Sequence, residues 1–111
     1  MKNFVLIFRQ TSPLTETDAA RRQAEVAVWA RMQNAAGHQL EPRILAPDVL
    51  RSGPSHQDPH ASPVTALLFL QADDHAQAAR LAESHPGVCY GASVEVRPWA
   101  APALAAAARQ P

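Results

Sequence analysis

The chain has 111 residues and a mass of 12.0 kDa, room for one domain and not for two. Hydrophobic residues make up 47%, which excludes the low-hydrophobicity, high-charge composition of a disordered chain. Ten Lys and Arg balance ten Asp and Glu, a neutrality that argues against a broad electrostatic surface for nucleic acid or membrane.

The first element is the apolar run Lys2 to Arg9. Its apolar core, Phe4 to Phe8, is too short for the hydrophobic region of a signal peptide and ends at Arg9, and its β-prone residue types read as a strand buried on both faces, hence central in its sheet. Thr11-Ser12-Pro13 breaks it. Thr15 can then cap a helix, with Glu16 and Asp18 in the first turn. That helix should run from Glu16 to Ala36 and stop at Gly37. Its apolar residues form two stripes, Ala20, Ala24, Ala27 and Val28 against Trp29, Met32 and Ala36, which suggests contact with the sheet and with something else. Arg21 and Arg22 form a short basic pair whose simplest reading is a solvated helix face.

His38 to Ala46 alternates around Leu40 and Ile44 but contains Pro42. Proline cannot donate to a ladder, so this is expected to be an edge strand. Residues 47–63 carry four prolines without periodicity, a long loop of the kind usually functional or mobile. Val64 to Gln71 is a second unbroken apolar run and a second central strand. Asp74 and Gln77 make a helix cap; Ala78, Leu81, Ala82 and His85 then share one helix face. Pro86 ends that helix. Ala92 to Pro98 alternates as a last strand, and residues 99–111 form an alanine- and proline-rich tail.

The order β-α-β-β-α-β over residues 1–98 predicts a ferredoxin-like α+β domain: a four-stranded antiparallel sheet with both helices on one face. That topology makes the first and third strands central, in agreement with the two continuous apolar runs. Phe4, Leu6 and Phe8 point one way along the first strand, and Val5, Ile7 and Arg9 the other. Both sets are largely apolar, so the helix-free face calls for a cover, and a homodimer through that face is expected.

The residues that carry a family resemblance are Met1 to Arg9, Trp29, Ala35-Ala36-Gly37, Ala82-Glu83-Ser84-His85-Pro86 and Gly91 to Pro98. On these the chain resembles the YCII-related family, specifically its DGPF branch, over residues 1–46 and 64–98. The resemblance implies a dimeric α+β barrel with a pocket between sheet and helix, and in some members an acid–base role for a His/Asp pair. Two departures stand out. Ser52-Gly53-Pro54-Ser55 occupies the place of the Asp-Gly-Pro-Phe segment, and the first helix, from Asp18 to Met32, has no histidine.

Topology brings Arg9, Asp48, Ser52, His85 and Ser93 to one end of the sheet, where they are candidates to bind a small polar or anionic ligand. Arg97 falls at the other end, and shares a strand face with Glu95. His85 is the candidate for proton transfer, since imidazole titrates near neutrality and a helix C-terminus favours its protonated form; backbone capping is the alternative. Trp29 is read as packing, a dimer contact or a ligand wall. His56, Asp58 and His60 invite a metal, but lie in a proline-broken segment that does not put the imidazoles on one face. No metal or cofactor is expected, nor is Cys89 expected to be a nucleophile. With one cysteine no intrachain disulfide forms, and with no apolar stretch near the roughly 20 residues of a membrane span a soluble cytoplasmic protein is the default. Three functions follow: a dimeric binding module, favoured by loss of the Asp-Gly-Pro-Phe segment; a lyase, isomerase or dehalogenase-like enzyme using His85; or a protein-interaction module acting through loop and tail.

Overall fold

The computed structural model describes residues 1–54 and 62–100. It contains β1 (Lys2–Gln10), α1 (Glu16–Ala35), β2 (Glu41–Ile44), β3 (Val64–Ala72), α2 (His75–Ser84), a short 3-10 helix (Pro86–Tyr90) and β4 (Ala92–Pro98). The strands form one antiparallel sheet in the order β2-β3-β1-β4, the ferredoxin-like arrangement, with β1 and β3 in the centre. β2 is an edge strand and is shorter than the alternation around Pro42 suggested. None of the described part of the 47–63 loop is helix or strand; His56, Asp58 and His60, and the tail from Ala101, lie outside the described residues.

Caps define both helices. The Thr15 hydroxyl accepts the Asp18 N–H at 3.1 Å, and Gly37 follows the end of α1 at φ 94°, a left-handed position where a side chain costs about 1–2 kcal/mol. Asp74 accepts the Gln77 N–H at 2.7 Å while the Gln77 side chain accepts the Asp73 N–H, so an orphaned donor of the first turn of α2 and the N–H just ahead of its cap are satisfied together. His85, forced to extended backbone (ψ 128°) ahead of Pro86, closes α2 and opens the 3-10 helix.

Phe4, Leu6 and Phe8 of β1 and Leu68, Leu70 and Ala72 of β3 form the core with Ala78, Leu81 and Ala82 of α2. α2 therefore packs on the face its periodicity marked. α1 behaves differently. Of its described residues Trp29 is the one that is buried, and neither expected stripe is the inner face: Val28 and Met32 are exposed, while Ala19, Ala20, Val26 and Ala30 turn toward the sheet. Ala30 packs against the core, but α1 as a whole makes little direct backbone approach to any strand.

On the helix-free face Val5 lies between Phe69 and Arg97, and Ile7 between Leu67 and Glu95. β2 adds Glu41 beside Phe69 and Arg43 beside Leu67. Two rows result, each with an apolar centre and opposite charges at its ends. Glu95 and Arg97 form an exposed ion pair at 3.8 Å. Among the described residues no helix is long and apolar enough to cross a membrane.

Candidate functional site

The short residues of α1 face more short residues, Ala66 on β3 and Ala92 on β4, and the volume missing on both sides opens a cavity of about 1000 Å³. That is at the upper end for small-molecule sites. Phe8, Leu68, Val26 and Trp29 supply apolar walls; Arg22, Gln10, Gln23, Asn34, Glu16 and His85 supply the polar groups. Leu14, Ile44 and Leu45 border its mouth, where Ile44 is 83% exposed.

His85 lines the cavity, wedged between aromatic rings: its centroid is 4.6 Å from that of Phe8 and 4.7 Å from that of Trp29. Its Nδ1 accepts the Gly87 backbone N–H at 3.0 Å, which caps the 3-10 helix. The approach at Gly87 is close: a Cβ there would stand 3.0 Å from Nδ1 and 3.2 Å from Cε1, so the ring would have to shift to admit a side chain. Burial first, and the nearby Arg22 charge second, lower the His85 pKa from the usual 6.5 to about 4. The ring is therefore neutral at pH 7. A neutral imidazole carries one proton, and with Nδ1 engaged as acceptor it resides on Nε2. His85 thus presents an N–H donor. This reverses the expectation that the helix C-terminus would favour the imidazolium: desolvation and a neighbouring cation outweigh the helix dipole.

Arg22 reaches the cavity from α1. Its Nη1 donates to Gln10 Oε1 at 3.3 Å, and among the described residues no carboxylate lies within ion-pair distance of it. Gln10 in turn donates its side-chain amide to the carbonyls of Ser12 (2.7 Å) and Tyr90 (2.8 Å). The backbone at this corner is fixed by Gly91, at φ 89°, whose carbonyl accepts both the backbone N–H and the hydroxyl of Thr11.

The five residues expected to meet do not all share this site. His85 lines the cavity; Arg9, Asp48, Ser52 and Ser93 do not. Arg9 and Ser93 are direct partners across β1 and β4, but strand alternation puts them on the face opposite Phe8 and Val94. Arg9 Nη1 donates to the Ser62 carbonyl at 2.8 Å. Asp48 and Ser52 are exposed. Ser93 borders a smaller cleft between α2 and β4, of about 290 Å³. Arg22, Gln10 and Gly87 are cavity residues that reading the sequence did not single out. The signal for Arg22 is its position seven residues before Trp29, two turns up the same helix face.

No protein-family model matches the chain, and no curated protein matches it by sequence. A solved structure of 5-chloro-2-hydroxyhydroquinone dehydrochlorinase (TftG) from Burkholderia phenoliruptrix AC1100, in complex with 2,5-dihydroxybenzoquinone, matches with a TM-score of 0.55 at 18% identity, over 89% of this chain and 95% of that one. At that identity the likeness is one of fold: the two share the ferredoxin-like α+β architecture over nearly their whole lengths.

Proposed function

We propose that this protein is a YCII/DGPF-like homodimer that binds a small polar or anionic molecule in the cavity between α1 and the sheet, next to His85. The observation that carries this reading is the His85 ring on the cavity wall, neutral and with Nδ1 taken by Gly87, so that Nε2–H is its remaining polar group in a mostly apolar recess. A free N–H donor on such a cavity wall recognises an oxygen acceptor on a ligand. The structural neighbour is in complex with a small hydroxylated quinone, which supports a ligand of similar size.

The enzymatic alternative, His85 as general acid or base, has one feature in its favour: the imidazole is unprotonated at neutral pH. It also meets an obstacle. The basic nitrogen is Nδ1, which the Gly87 N–H occupies, and a neutral ring that gives up its Nε2 proton becomes an imidazolate. Binding is the better reading.

Saturation-transfer NMR against single-ring and short-chain oxygenated compounds tests it. We expect hits with the unmodified protein, loss of those hits in Ala66→Trp, which fills the cavity, and about tenfold weaker binding in His85→Phe, the worth of one hydrogen bond. Hits that survive Ala66→Trp, or an absence of hits, would refute the reading.

The dimer rests on the helix-free face. Its two rows, with Val5 and Phe69, Ile7 and Leu67 at their centres and opposite charges at their ends, suit a second copy related by a two-fold axis. Light scattering at micromolar concentration should read twice the chain mass, and Val5→Glu should halve it. A monomeric parent protein would sink this part.

A further inference from the structure

We infer that the cavity is a site for a small organic acid bound as its anion, with Arg22 the charge partner and Gln10 the residue that positions it. The inference deepens the binding reading above and rests on it. Arg22 is a half-buried cation on the wall of a recess whose other walls are mostly apolar. Its bond to the Gln10 Oε1 uses a neutral acceptor, and no carboxylate among the described residues, including Asp18 one turn earlier on α1, lies within ion-pair distance of it, so most of its five N–H donors remain for a ligand. Gln10 is well suited to hold it: the two carbonyls that take its amide N–H groups fix which end of that amide faces Arg22. Glu16 is the acidic side chain on the cavity wall, in the first turn of α1 and exposed.

His85 adds a neutral N–H and Trp29 and Phe8 add flat apolar surface on the same recess. A ligand that uses all of these has an apolar or aromatic body and one anionic oxygen group. An additional cation is poorly accommodated: the Arg22 charge already disfavours protonation of His85. Selectivity should therefore be for charge first and shape second.

Benzoate and benzamide are a matched anionic and neutral pair for the test, with affinities measured by ligand-observed NMR. The unmodified protein should bind benzoate at least tenfold more tightly than benzamide. Arg22→Gln should abolish that preference, weakening benzoate far more than benzamide, and Arg22→Lys should retain most of it. Gln10→Glu, which gives Arg22 a carboxylate partner and gives up the amide's bonds to the Ser12 and Tyr90 carbonyls, should weaken benzoate more than benzamide. Equal binding of the two compounds by the unmodified protein, or a preference that survives Arg22→Gln, overturns the anion site while leaving the cavity reading intact. If neither compound binds and no compound of the wider oxygenated set does, both fall.

Discussion

Trp29→Ala destabilises the domain by about 3–5 kcal/mol, the range for emptying a buried tryptophan site, and releases α1 from the sheet. A single residue bears this much because of the way α1 is mounted. Its inward face is mostly alanine, valine and amides bordering the cavity, of which Ala30 packs against the core, so the helix is anchored chiefly along the 3-10 helix and by Trp29. The indole N–H donates to Ser84 Oγ at 2.9 Å, and Ser84 donates on to the Leu81 carbonyl at 2.8 Å. The indole also meets the His85 ring edge-on. Urea unfolding followed by far-UV circular dichroism measures the loss, and hydrogen exchange locates it: α1 amides should lose protection before those of β1 and β3. Trp29→Phe keeps the ring and removes the hydrogen bond, so its cost should be nearer 1 kcal/mol plus a small packing loss. A cost below 1 kcal/mol for Trp29→Ala, with α1 protection unchanged, would show that α1 is held by something else.

That mounting also explains which features could be read from the residues. Central strands announce themselves because both faces are covered, so β1 and β3 appear as unbroken apolar runs. Pro42 marks the edge because a missing N–H is tolerated there alone. Thr15, Asp74, Gly37 and Pro86 mark helix ends because each solves a local backbone problem, independent of tertiary context. The orientation of α1 was not legible. A helix that borders a cavity needs no continuous apolar stripe, so the periodicity that identified the inner face of α2 has no counterpart in α1. The same fact hid Arg22, which looks like one half of a solvated basic pair until Trp29 fixes the face. Arg9 teaches a different lesson. Sharing one end of a sheet with His85 is a statement about position along the strand, whereas contact also requires the same face. The alternation that groups Arg9 with Val5 and Ile7 already separates it from the cavity behind Phe8.

Lowering the pH from 7 to 4 should cost the domain about 2 kcal/mol through His85 alone. In the unfolded chain the imidazole has its ordinary pKa of 6.5; in the folded protein it is lowered to about 4. Between those values the unfolded state binds the proton and the folded state does not, so stability rises with pH across the window. The contribution is fully present above about pH 6.5 and is lost as the pH falls through about 4. A displacement of that size corresponds to about 3 kcal/mol, and the partial access of water to the ring reduces it. Replacing His85 with phenylalanine retains an aromatic body against Phe8 and Trp29 and removes the ionisation. The measurement is the difference in unfolding free energy between the two proteins at pH 7.5, 6, 5 and 4.5, which cancels whatever is common to both. The gap should move in favour of the phenylalanine protein as the pH falls. A gap that stays flat would mean that the folded ring takes up its proton as readily as the unfolded one. Nitrogen NMR of the His85 ring gives the complementary check: at pH 7 the proton should be on Nε2, with Nδ1 unprotonated. The ionisation lies below the physiological range, so between pH 6.5 and 8 any pH dependence of ligand binding should follow the acid group of the ligand and not His85.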